Sequence, residues 1–117
     1  MQYIALIYSA ANSGPQPGTP EFGAYIQKYQ EFTADAQKAG VFVAGDALQS
    51  IDTATTVTRE NGKVETTDGP FAETKEQLGG YYLLDCKNLD EALSYAANIP
   101  TAAHGRIEVR PIMVFDQ

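Results

Sequence analysis

Gly80-Tyr81-Tyr82-Leu83-Leu84-Asp85-Cys86, followed at once by Lys87-Asn88-Leu89-Asp90-Glu91, decides the fold. The first seven residues are an apolar run of strand length. Tyr82 and Leu84 fall on one face, Tyr81 and Leu83 on the other. A strand apolar on both faces must be covered on both. Asn88 is a helix N-cap, and Glu91, three residues on, is placed to complete a capping box. Leu89, Ala92, Leu93 and Ala96 then recur at helical spacing until Pro100 stops the run. Residues 106–110 and 112–115 read as a last strand or strand pair, interrupted at Pro111. The C-terminal half is therefore strand, helix, strand.

The N-terminal half repeats that order. Residues 3–8 form a strand with Tyr3, Ala5 and Ile7 on one face and Ile4, Leu6 and Tyr8 on the other. Residues 9–18 are loop-forming by composition. Thr19-Pro20-Glu21 opens a helix with a hydroxyl N-cap, a proline at the first helical position and an acid in the first turn. Phe22, Tyr25, Ile26, Tyr29, Phe32 and Ala36 make its apolar stripe, and Ala39-Gly40 ends it. Val41-Phe42-Val43-Ala44 is the next strand. Between the halves, residues 54–59 and 63–67 alternate around Asn61-Gly62, the strongest short hairpin signal because both turn positions need positive φ.

The expected fold is one α+β domain over residues 1–117, a ferredoxin-like split βαβ with an inserted β-hairpin. Right-handed crossovers put both helices on one face of the sheet. The other face stays apolar, so a second copy is expected to cover it, the pair of sheets closing into a dimeric α/β barrel.

Composition narrows the function classes. The chain has 117 residues, 44% of them hydrophobic, and a formal net charge of -7. Eight Lys and Arg without a basic run give no electrostatic footprint for nucleic acid. No apolar run has the roughly 20 residues that cross a bilayer, and the start lacks a basic n-region, so it reads as a strand rather than a signal peptide. One cysteine, Cys86, makes no internal disulfide and supports no Cys-based structural metal site. The expected location is the cytoplasm, with no cofactor and no metal.

Thr67-Asp68-Gly69-Pro70-Phe71-Ala72-Glu73-Thr74-Lys75-Glu76-Gln77-Leu78-Gly79-Gly80-Tyr81-Tyr82 resembles the signature of the DGPF-motif subgroup of the YCII-related family. The opening Tyr3–Tyr8 strand, Ala39-Gly40-Val41 and His104-Gly105-Arg106-Ile107-Glu108-Val109-Arg110-Pro111 agree with it, so the resemblance runs over essentially the whole chain. It implies a bacterial homodimer built as a dimeric ferredoxin-like α/β barrel. It also implies occasional company with sigma factors of the extracytoplasmic-function type. Some family members are thought to use a His–Asp dyad. At the corresponding positions this chain has Tyr29 and Ile99, so neither partner of the dyad is present.

Several residues can carry chemistry. Asp68-Gly69-Pro70-Phe71 is first a turn, Asp68 accepting a local backbone N–H and Phe71 plugging apolar surface. Alternatively Asp68, Glu73 and Lys75 surround a pocket mouth, with Asp68 as a general base. His104, the lone histidine, is the other candidate proton carrier. Among seven tyrosines, Tyr8, Tyr25, Tyr29, Tyr81 and Tyr82 are core or interface residues, or a hydroxyl cluster that would hold a small polar-aromatic ligand. Gly79-Gly80 is a bulge or leaves room for that ligand. Arg110 joins Tyr8, Tyr29, Asp68, Phe71, Glu73, Lys75 and Tyr81 as a ligand-binding candidate.

Three functions fit these residues. The first is a small-molecule-binding dimer with its cleft between the sheet and the first helix. The second is a cofactor-independent lyase, isomerase or dehydrochlorinase using Asp68 or His104. The third is an accessory partner of a sigma factor.

Overall fold

Period-two burial organises the first strand, β1 (Gln2–Ala10): Tyr3, Ala5 and Ile7 are buried while Ile4, Leu6 and Tyr8 are only half covered. The computed structural model of the chain describes residues 1–115. After β1 come helix α1 (Pro20–Lys38), β2 (Phe42–Ala47), the hairpin β3 (Thr55–Glu60) and β4 (Lys63–Asp68), then β5 (Glu76–Asp85), α2 (Leu89–Ala97) and β6 (Arg106–Pro111). Asn61 and Gly62 turn the hairpin with φ of 51° and 78°, the left-handed pair that a type I′ turn requires.

The main sheet has the order β2-β5-β1-β6, and every pair in it is antiparallel. Each helix connects two strands that flank a third, which is the ferredoxin-like split βαβ arrangement. Phe32 of α1 and Ala92 and Ala96 of α2 share one buried cluster with Tyr3, Ala5, Ile7, Tyr82 and Leu84. Both helices therefore cover one face. The capping box at α2 forms with a shift of one residue: Glu91 N donates to Asn88 Oδ1 at 2.9 Å, and Glu91 Oε1 accepts from Lys87 N rather than from Asn88 N. The expected Thr19 cap is replaced by a local turn, its hydroxyl donating to the Gln16 carbonyl.

The structure corrects the expected dimeric α/β barrel, whether read from the strands or implied by the resemblance. The sheet is open, with β2 and β6 as edges bonded on one side only. A small closed barrel takes about eight tilted strands, and this sheet has four. The hairpin cannot bridge the gap, because β3 and β4 pair only with each other in a separate two-stranded sheet.

Strand boundaries also move: β1 gains residues at both ends and β2 runs on to Ala47. β5 starts at Glu76 and runs through Gly79-Gly80 with a bulge opposite Ile7 and Tyr8. β6 is a single strand that includes Pro111, tolerated because β6 is an edge; residues 112–115 lie outside it. Among the described residues no helix is long and apolar enough to cross a membrane.

Candidate functional site

Helix α1 meets the sheet closely only at its C-terminal half, where Phe32 and Ala36 are fully covered. At its N-terminal half the inward residues are the bulky Tyr25 and Tyr29, both half-buried. Beneath them the strands carry glycine. Gly80 faces the helix side opposite Ile7, and Gly45 pairs with Tyr82. A Cβ at Gly45 would lie 2.6 Å from the Tyr82 ring, and one at Gly80 would lie 2.8 Å from the Asp46 carbonyl oxygen. Both glycines are thus set by close approach of their neighbours, and a cavity of about 430 Å³ lies between α1 and the sheet, with both lining it. That size suits a small organic ligand.

Hydroxyls gather at its inner end. Thr101, 3% exposed, lies in the 3₁₀ turn Pro100–Ala103 that follows α2. Its Oγ1 shares a hydrogen bond of 2.5 Å with Tyr25 Oη and a second with Tyr29 Oη. Deeper along α1, Thr33 Oγ1 and Tyr82 Oη share one of 2.8 Å. The rings add shape. Tyr25 meets Tyr29 edge to face at 5.3 Å, and Tyr29 lies within 15° of parallel to Tyr82 at 6.5 Å between centroids. Burial, helped by the neighbouring Tyr25, pushes the Tyr29 phenol far above its ordinary 10.0 against the opposing pull of Thr101. Burial also raises Tyr82. Both phenols therefore hold their protons near neutral pH.

The sign of the resulting pH dependence is fixed. Below about pH 10 these phenols are protonated in folded and unfolded chains alike. Above it the unfolded phenols ionise first, so stability is lost as pH rises toward the higher folded values. Melting temperature followed from pH 9 upward should fall, and Tyr29→Phe should make the fall shallower. An equal slope in wild type and variant would contradict the burial of Tyr29.

The remaining candidates lie elsewhere. Asp68 is exposed at the end of β4, and its turn is pinned to β3 by Gly69 N donating to the Ala54 carbonyl and Thr56 Oγ1 donating to the Gly69 carbonyl. Phe71 is 90% exposed. It borders, with Tyr8 and Leu78, a second cavity of about 550 Å³ on the other side of the sheet. Glu73 and Lys75 are exposed in the loop before β5. Tyr81 contributes backbone to the cleft, but by register its side chain points to the uncovered sheet face, where Oη donates to Asp46 Oδ2 at 3.0 Å. That bond holds the Tyr81 phenol above its ordinary value. Arg110, on the same face, donates to Glu108 at 2.8 Å.

His104 packs against the Tyr25 ring and over Gly14, bordering a shallow groove on the opposite flank of α1. Of the tyrosines named as a hydroxyl cluster, Tyr25, Tyr29 and Tyr82 line the cleft with their side chains, whereas Tyr8 and the Tyr81 ring lie on the other sheet face; of the remaining candidates none enters it. The structure adds Thr101, Thr33 and Phe42. Thr101 carried no sequence signal beyond following Pro100. Among the described residues no three His, Cys, Asp or Glu side chains gather as a metal site.

The YCII-related domain matches this chain over residues 1–116. The chain is 48% identical over 64 residues to an uncharacterized protein of Rhizobium meliloti (strain 1021), a stretch that covers 53% of this chain and 52% of that relative. The chain thus spans about half the length of the curated relative it matches. With the domain matched from its first strand to beyond its last, the chain belongs to the YCII-related family.

Proposed function

We propose that this protein binds a small molecule in the cleft between α1 and the sheet. The observation that carries the reading is the Tyr25–Thr101–Tyr29 hydroxyl cluster at the inner end of a 430 Å³ cavity. A core built only for packing would fill that space with aliphatic side chains. The lyase or isomerase alternative needs a base at the ligand. Asp68 and His104 stand outside the cleft lining, and Tyr29 holds its proton too firmly to serve as one. Binding without turnover is therefore the better reading.

We further propose a homodimer. Ile4, Leu6 and Leu83 lie on the sheet face that no helix covers, and Met113, Val114 and Phe115 are exposed just after β6. A second copy set against this face would cover both. The lone cysteine, Cys86, is a buried free thiol, which agrees with a reducing cytoplasm.

The cleft is tested by filling it. Thr33→Phe places a ring in the cavity at the cost of one hydrogen bond to Tyr82. It should keep a folded spectrum and lose the amide shift changes that aromatic fragments produce in the wild type. Unchanged fragment shifts in a folded Thr33→Phe protein would place binding elsewhere.

A further inference from the structure

We infer that the cleft selects an uncharged, planar aromatic compound bearing a hydrogen-bond acceptor such as a ketone, and rejects carboxylates and cationic amidines alike. This rests on the cleft being the binding site and names the class of ligand it takes.

The first observation is the absence of charge in the lining. Apart from Asp46, every residue that lines the cavity is apolar or carries a hydroxyl. Asp46 borders the cavity, but its register with Tyr81 and the bond from Tyr81 Oη carry its carboxylate to the other face. Lys28, Glu31, Asp35 and His104 border the groove on the far flank of α1. A charged ligand would lose its hydration here and meet no counter-charge.

The second observation is a count of hydroxyl protons. Tyr25, Tyr29 and Thr101 own three and share two hydrogen bonds among themselves. The third O–H turns either to the facing phenol or to a ligand. Thr33 and Tyr82 own two and share one bond, leaving one. Both clusters thus have a proton to give, which an acceptor on the ligand satisfies.

The third observation is shape. Tyr29 and Tyr82 lie within 15° of parallel and wall the same cavity, so a flat ring finds aligned faces.

Four compounds of one outline separate these claims: methyl 2-naphthyl ketone, 2-naphthoate, 2-naphthamidinium and 2-isopropylnaphthalene. Each is titrated into ¹⁵N-labelled full-length protein, and shifts are followed at Gly45, Gly80 and Tyr29. The ketone should bind about tenfold or more tightly than either ion, and about fivefold more tightly than the isopropyl compound, roughly one hydrogen bond. In a Tyr25→Phe, Tyr29→Phe double variant the ketone should weaken toward the isopropyl compound, whose own affinity should hold.

Naphthoate or naphthamidinium equalling the ketone, with shifts at the same amides, would overturn the charge selection and leave the cleft standing. Ketone and isopropyl compound binding alike would overturn the acceptor claim. No shift at these amides from any of the four would remove the binding reading itself.

Discussion

Leu84→Lys is expected to unfold the protein, whereas Leu83→Lys, one residue away, is expected to leave it folded. Leu84 is 1% exposed and sits among Tyr3, Ala5 and Tyr82 beneath the helices. An ammonium there has no partner, and an unpaired buried charge costs several kcal/mol, on the order of the whole stability of a small domain. Leu83 pairs with Ile4 on the opposite, uncovered face and is only half-buried. There the lysine stem lies along the sheet and its charge reaches water. Circular dichroism should report loss of structure for Leu84→Lys alone. Light scattering should report a dimer for wild type and a monomer for Leu83→Lys. A wild-type monomer at micromolar concentration would end the homodimer proposal, and a folded Leu84→Lys protein would contradict the layer order of the sheet.

Thr101→Val should lower stability by about 2 kcal/mol while keeping the shape of the residue. The loss comes from two phenols that share the one Thr101 hydroxyl. On a domain of this size that is a fall of very roughly 8 °C in melting temperature. Tyr25→Phe and Tyr29→Phe should each cost less than Thr101→Val. Combining either with Thr101→Val should cost less than the sum, because one network is being removed twice. Strictly additive losses would show that the three hydroxyls do not act together.

The strand and helix order was legible because each element carries its own local signal. A short apolar run ahead of a loop marked β1, Asn88 and Glu91 marked α2, and Asn61-Gly62 marked the hairpin. Closure of the sheet was not legible. It depends on which edges find partners, and the two-faced apolar strands gave a need for cover without saying what supplies it. At the site, Tyr29 was visible as a large polar-tipped residue on an inward helical stripe. Thr101 was not, because it meets Tyr29 across 72 residues of chain and nothing local marks it. The conspicuous Asp68–Phe71 motif drew attention by its oddity. It lies in an exposed turn tied to β3, and its residues do not line the α1 cleft.

The most direct test of the cleft is a crystallographic fragment screen on the full-length protein. Two larger cavities compete with the 430 Å³ cleft under α1: the 740 Å³ groove beside His104 and the 550 Å³ cavity beside Phe71 and Tyr8. The two larger ones are more open or bounded by exposed side chains, so volume alone would favour them. Uncharged aromatic fragments are expected to collect between Tyr29 and the Gly45–Gly80 floor, with an acceptor atom within hydrogen-bond distance of Tyr25, Tyr29 or Thr101. Fragments collecting instead beside Phe71 or His104, with the α1 cleft empty at equal exposure, would contradict the account.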